Sequence, residues 1–246
     1  MREGLEAIRP RYEWMQAAES QVGSGSPAGK RHDYEAFIPV WRLKKACPLA
    51  ILLDGHGLRH IATLALVRES MALRIEDYAI IGDCKSAALV GSDGSIDWLC
   101  WPRFDSAACF AALLGTPENG RWLIAPALAP LGVTRRYRPG TLVLETEFKT
   151  ESARAVILDF MPPADGAELV RIVVGRSGRV DFRTEFVARF DYGSTVPWIS
   201  RLYDGAISAV AGPERLVLRS SVALSGEDFT VEEGQSAAFV LSYGAS

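Results

Sequence analysis

From Ile75 onward the sequence breaks into short runs rich in Val, Ile, Leu, Phe and Tyr, set mostly 8–14 positions apart and separated by turn residues. The runs lie at 78–81, 87–90, 96–99, 121–125, 133–137, 142–148, 155–160, 169–174, 181–190, 199–203, 206–210, 216–220 and 237–243. Each is too short for a stable helix, which needs several turns to offset its nucleation cost. Runs 142–148 and 181–187 alternate in part between apolar and polar residues, the period of a half-buried strand. Between the runs stand Ser92-Asp-Gly-Ser95, Pro139-Gly140, Pro162-Pro-Ala-Asp-Gly166, Asp204-Gly205 and Ala211-Gly-Pro213. These residues set the dihedrals of tight turns. Only 107–114 reads as a short helix. The pattern predicts an all-β chain, a large antiparallel β-sandwich with one short helix.

Residues 1–70 have a different texture. Apolar clusters there keep no sustained period, and Gly23-Ser-Gly-Ser-Pro-Ala-Gly29 reads as a linker. This segment carries ten basic and eight acidic side chains, against 17 and 22 in the remainder. Residues 1–70 are therefore expected to be an irregular N-terminal extension, translated from upstream of a natural start at Met71. Residues 71–246 are expected to form the sandwich.

Composition excludes several functions. A net charge of −3 lacks the basic face that nucleic acid requires, so no nucleic-acid partner is expected. All three histidines (His32, His56, His60) precede Met71, which leaves the regular part without a His-based triad or metal site. Cys47, Cys84, Cys100 and Cys109 show no C-x-x-C spacing and read as buried free thiols of a cytoplasmic protein. No run is long enough to span a membrane, and no signal peptide is visible. No metal and no cofactor are expected.

The strongest chemical signal is Trp101-Pro-Arg-Phe-Asp105. Arg103 offers a fork of donors, Asp105 two acceptors, and Trp101 and Phe104 apolar faces, a set suited to a polyhydroxylated ligand. The competing reading makes Arg103 and Asp105 a brace for the loop, with Trp98, Trp101 and Phe104 buried. Glu145 and Glu147 share a strand face but read as solvated positions. Asp83 reads as a turn acceptor and Asp97 as a hairpin brace. Asp191-Tyr-Gly193 and Pro197-Trp198 form a second aromatic cluster.

Six ordered elements carry a family resemblance: Ile75–Val90, Asp93–Cys100, Pro102–Ser106, Gly120–Trp122, Arg135–Thr141 and Ile157–Pro162. Together they resemble the N-terminal, trehalase-like domain of bacterial glycoside hydrolase family 15, the glucoamylase and trehalase-like enzymes. Lys85 replaces a usual arginine, Trp101 a common aliphatic residue, and Ala107 a usual proline. The resemblance implies a supersandwich joined to an (α/α)₆ toroid. In the family that toroid carries the two glutamates of an inverting attack on α-glucosides. The toroid's sugar-binding elements, R-N-W-D-Y-R-Y and W-x-R-D, do not occur in these 246 residues.

The expected function is thus a non-catalytic, truncated domain, inactive alone. Trp101, Arg103, Phe104 and Asp105 would shape an α-glucoside site, and none of them is expected to be catalytic. The expected partners are the (α/α)₆ domain and, through the surface that domain leaves exposed, a second copy. The rival readings are a free-standing carbohydrate- or partner-binding sandwich and a non-functional gene fragment.

Overall fold

A computed structural model describes residues 73–223 and 228–245. The extension expected over 1–70 and all three histidines lie outside the described residues, as does Cys47. Of the other cysteines, Cys100 and Cys109 are buried as expected, but Cys84 is exposed because it sits at φ +71° in the turn between Gly82 and Ala87. After a 3₁₀ turn at Ile75–Asp77, fifteen strands follow in order. They are β1 (Tyr78–Gly82), β2 (Ala87–Gly91), β3 (Ser95–Cys100), β4 (Ala108–Phe110), β5 (Arg121–Pro126), β6 (Gly132–Tyr137), β7 (Leu144–Lys149) and β8 (Arg154–Phe160). Then come β9 (Ala167–Ser177), β10 (Arg179–Val187), β11 (Trp198–Arg201), β12 (Ile207–Ala211), β13 (Glu214–Ser220), β14 (Asp228–Glu232) and β15 (Ser236–Ala245).

The strands form two antiparallel sheets. One runs β1-β2-β3-β5-β10-β14, with β4 added to β3; the other runs β11-β12-β13-β15-β9-β8-β7-β6. The expected all-β antiparallel sandwich is the observed architecture. Its core lies between the sheets: Ile96, Trp122, Ile124 and Phe182 of the first face Ile157, Leu169, Leu216 and Phe239 of the second.

The expected short helix over 107–114 is replaced by β4 and a single 3₁₀ turn at Ala112–Leu114. Gly115 and Pro117 stop any longer helix, while pairing Leu99 with Phe110 puts that ring in the core.

One polar device crosses the core. Arg171 on β9 and Asp159 on β8 stand opposite each other in the ladder, and both are fully buried. Arg171 Nε donates to Asp159 Oδ1 at 2.7 Å. Its other nitrogens reach the opposite sheet, donating to the Trp122 carbonyl at 3.0 Å and the Gly94 carbonyl at 2.8 Å. The guanidinium also lies 5.2 Å from the Trp122 ring centroid. A buried charge is tolerable only when paired and hydrogen-bonded, and here that pairing ties the two sheets together. Gly94 makes the approach possible. Its φ is +89°, and a Cβ there would run into the Ile124 carbonyl oxygen.

Candidate functional site

The candidate tip sits on the connection from β3 to β4. Trp101 anchors it: the side chain is 1 % exposed, part of the main core, with its ring 6.3 Å from that of Tyr243. The Trp101–Pro102 peptide is cis. Phe104 N–H donates to the Lys85 carbonyl at 3.1 Å, and Ser106 N–H to the Arg103 carbonyl at 3.1 Å. The Ser106 hydroxyl in turn accepts from Arg103 N–H at 3.2 Å. Lys85 Nζ donates to the Ala164 carbonyl at 3.0 Å, so the segment under the tip is itself tethered.

Beyond these anchors the chain presents three side chains to solvent. Arg103 and Asp105 form a two-bond pair, Nε to Oδ1 at 2.8 Å and Nη2 to Oδ2 at 3.1 Å. Their side chains remain 72 % and 70 % exposed. Phe104 between them is 61 % exposed. The guanidinium hydrogen bond holds the Asp105 carboxyl below its usual range. The structure therefore divides the four candidates. Arg103, Phe104 and Asp105 stand together at the surface, whereas Trp101 is a core residue that positions them and offers no face to a ligand. The bracing reading is met by the pair and by buried Trp101, with Trp98 half-buried, but not by Phe104, which is exposed.

The polar residues around the tip serve the fold. Asp83 Oδ1 accepts from the N–H groups of Lys85 and Ser86 at 2.9 and 2.7 Å. The Ser86 hydroxyl donates to the Cys100 carbonyl. Asp97 Oδ2 accepts from the Tyr78 hydroxyl at 2.7 Å and the Ser95 hydroxyl at 2.9 Å. Burial raises the Asp97 carboxyl above its usual range despite these donors, and burial followed by Asp97 itself pushes the Tyr78 phenol up.

Glu145 departs from the solvated strand position expected of it. It is buried and faces Arg136, Arg138 and Arg176 at 3.2, 3.9 and 3.7 Å. The R-R-Y-R spacing on β6 was the available signal, since Arg136 stands opposite Glu145 in the ladder. Glu147 is near Arg154 at 3.9 Å. Neither glutamate faces the tip's chemistry with a partner carboxylate.

The second aromatic cluster separates into two places. Tyr192 lies against Trp98 of β3, with ring centroids 6.0 Å apart. Trp198 is exposed at the start of β11, an end strand of its sheet, beside exposed Val196 and Ile199. Sequence spacing gave no sign that Tyr192 would meet Trp98, because that contact joins segments far apart in the chain. Among the described residues no group of three or more His, Cys, Asp or Glu is placed to hold a metal ion. No helix among them is long and apolar enough to cross a membrane.

The fold is a two-sheet antiparallel sandwich with an exposed Arg-Phe-Asp tip on the connection from β3 to β4. Residues 65–239 match the family described as trehalase-like, N-terminal, and the chain belongs to that family. It is 38% identical over 85 residues to a trehalase of Mycolicibacterium smegmatis, covering 35% of this chain and 13% of that protein. It is 32% identical over 164 residues to a trehalase of Thermoplasma volcanium, covering 62% of this chain and 26% of that protein. A trehalase of Mycobacterium tuberculosis is 31% identical over 157 residues, 54% of this chain and 23% of its own. The chain thus spans about a quarter or less of the length of these relatives.

Proposed function

We propose that residues 71–246 are the non-catalytic β-sandwich of a family 15, glucoamylase- or trehalase-like glycoside hydrolase, and that Arg103, Phe104 and Asp105 form one wall of its α-glucoside site. The observation that carries this reading is the exposed two-bond Arg103–Asp105 pair flanking an exposed Phe104. A solvated, preorganised fork with a free ring edge suits hydroxyl recognition and adds little to stability. Membership of the trehalase-like N-terminal family and the names of its relatives supply the substrate class.

Inverting hydrolysis needs two carboxyl groups about 6.5–9.5 Å apart around the bound sugar and a water. In this reading both stand on an (α/α)₆ domain that is not among these 246 residues. The sandwich supplies packing and substrate shape. Exposed apolar side chains at the ends of the second sheet, Leu131 and Val133 by β6 and Trp198 and Ile199 on β11, would meet that domain or a second copy. Free thiols at Cys84, Cys100 and Cys109 support a cytoplasmic location.

The test is direct. The purified chain, given trehalose or maltose, should release no glucose, and robust turnover overturns the assignment of catalysis to another domain. Placed in an enzyme that also carries the toroid, Arg103→Ala should raise KM for the α-glucoside. An unchanged KM removes the tip from the sugar site.

A further inference from the structure

Beyond the tip, the turn between β10 and β11 carries the only positive-φ pair of adjacent non-glycine residues among those described. Asp191 has φ +50° and Tyr192 φ +57°, followed by Gly193 at +94°. L-residues enter this region at a free-energy cost, and such strain persists where the surroundings over-determine it. Here they do. Gly193 N–H donates to the Phe190 carbonyl at 3.2 Å and Ser194 N–H to the Asp191 carbonyl at 3.1 Å. Phe190 and Thr195 pair as an isolated bridge. A Cβ on Gly193 would meet Asn119.

The two positive φ values and the hydrogen bond from Gly193 to Phe190 are the pattern of a tight hairpin turn. Its second central residue, Tyr192, is 46 % exposed. The turn holds its ring at the surface against Trp98, at 6.0 Å and 41°. The place is also specific. Tyr192 N–H donates to the Ala108 carbonyl at 3.3 Å, and Ala108 is the first residue of β4, where the tip connection ends. Trp98 lies on β3, three residues before the Trp101 anchor where the same connection begins. The strained turn is therefore bonded to the frame that carries Arg103, Phe104 and Asp105. Hydrogen-bonding groups share its turn: Asp191 accepts from the Ser194 hydroxyl at 3.0 Å, and both side chains are exposed.

We propose that Tyr192, backed by Trp98, is a saccharide-stacking surface that extends the contact made by the tip to a further sugar unit. An aromatic face with a carboxylate and a hydroxyl in the same turn matches a pyranose ring, whose flat C–H face is ringed by hydroxyls. The inference rests on the reading of this domain as part of a saccharide-handling protein. It assigns to that site a residue whose ring the hairpin turn leaves half exposed beside Trp98.

Tyr192→Gly tests it on the full chain. Glycine removes the ring and suits φ +57°, so the variant should melt no lower than the parent. Binding of trehalose and of maltose, followed by saturation-transfer NMR and Trp fluorescence, should be saturable for the parent. It should weaken about tenfold in Tyr192→Gly, as loss of one aromatic contact implies. Tyr192→Phe should keep it. A Tyr192→Gly chain that binds like the parent overturns the inference; if Arg103→Ala still weakens binding, the tip reading stands without it. Loss in Tyr192→Gly but not in Arg103→Ala supports the stacking surface and removes the tip from the sugar site. A large drop in the melting temperature of Tyr192→Gly makes the ring structural and also overturns the proposal, as does a parent chain with no saturable signal for either sugar.

Discussion

Replacing Arg171 by methionine separates the energy of the buried pin from ordinary packing. Methionine keeps much of the side-chain length and removes the charge and all the donors. The variant strands the Asp159 carboxylate at 0 % exposure, without the guanidinium that bonds it at 2.7 Å. Removing one partner of a buried ion pair costs about 3–5 kcal/mol. The Trp122 carbonyl also loses this donor, at about 1–3 kcal/mol if it stays buried and unpaired, whereas the Gly94 carbonyl keeps the Ile124 N–H. These costs overlap, because a stranded group draws in water, and a total of about 4–6 kcal/mol is expected. That is a large share of the roughly 5–15 kcal/mol that holds a domain together. For a domain of this size the melting temperature should fall by about 10–20 °C. Urea unfolding followed by Trp fluorescence and by circular dichroism gives the free energy, with coincident transitions as the two-state check. The double variant Arg171→Met/Asp159→Asn removes the stranded charge and should recover about 2 kcal/mol or more of the loss. Two results refute the reasoning: a single-variant cost under about 1 kcal/mol, or a double variant no more stable than Arg171→Met.

Gly94→Ala should destabilise by about 1–3 kcal/mol from φ alone, and more because the Ile124 backbone must shift, which equilibrium unfolding reads directly. Arg103→Ala should leave the melting temperature unchanged, since both members of its pair are solvated; a clear drop would make the tip a structural brace. Asp97 carries a pH signature. Its carboxyl titrates higher in the fold than in the unfolded chain, so the native state binds the extra proton. Its contribution to stability is fully present below the ordinary carboxylate range and is lost as pH rises through the raised folded value. Asp97→Asn should flatten that part of the stability–pH curve in thermal melts, and an unchanged slope would assign it to another group.

Much of the fold was legible because strand runs and turns are local signals. What escaped was set by distant partners. β14 escaped because Asp228-Phe-Thr-Val-Glu232 is short and acidic at both ends, and gains its apolar partners from distant strands, where Phe229 meets Phe182 of β10 and Phe239 of β15. β4 escaped because Ala, Cys and Phe together make a weak strand signal, and pairing with β3 decides their state. Arg171 stands inside the apolar run Leu169–Val174, where an unpaired charge is untenable. That position was a visible anomaly, but its solution involves Asp159, Trp122 and Gly94 from three separate segments. At the tip, sequence left open which aromatic residues would be buried. Trp101 and Phe104 are both aromatic, and only the anchoring of the β3–β4 connection sends the first inward and the second out.

The segment that identifies the family is mostly occupied with holding itself together. Asp83 caps its own turn, Ser86 bonds the Cys100 carbonyl, Asp93 accepts from Ser95 N–H, and Ser95 and Tyr78 converge on Asp97. Gly94 serves Arg171 from across the core. Each of these polar groups meets a need that any sandwich built on this topology would share, so their pattern marks the fold and says little about sugar. Arg103 and Asp105 differ in kind. Their side chains bond each other in solvent, where such a pair contributes little to folding. Tyr192 differs in the same sense, since a positive-φ turn leaves its ring half exposed against Trp98. Chemistry is best sought where the fold spends conformational freedom without gaining burial. In this chain two such places border one connection: the tip lies along it, and the Tyr192 turn is bonded to Ala108, where it ends.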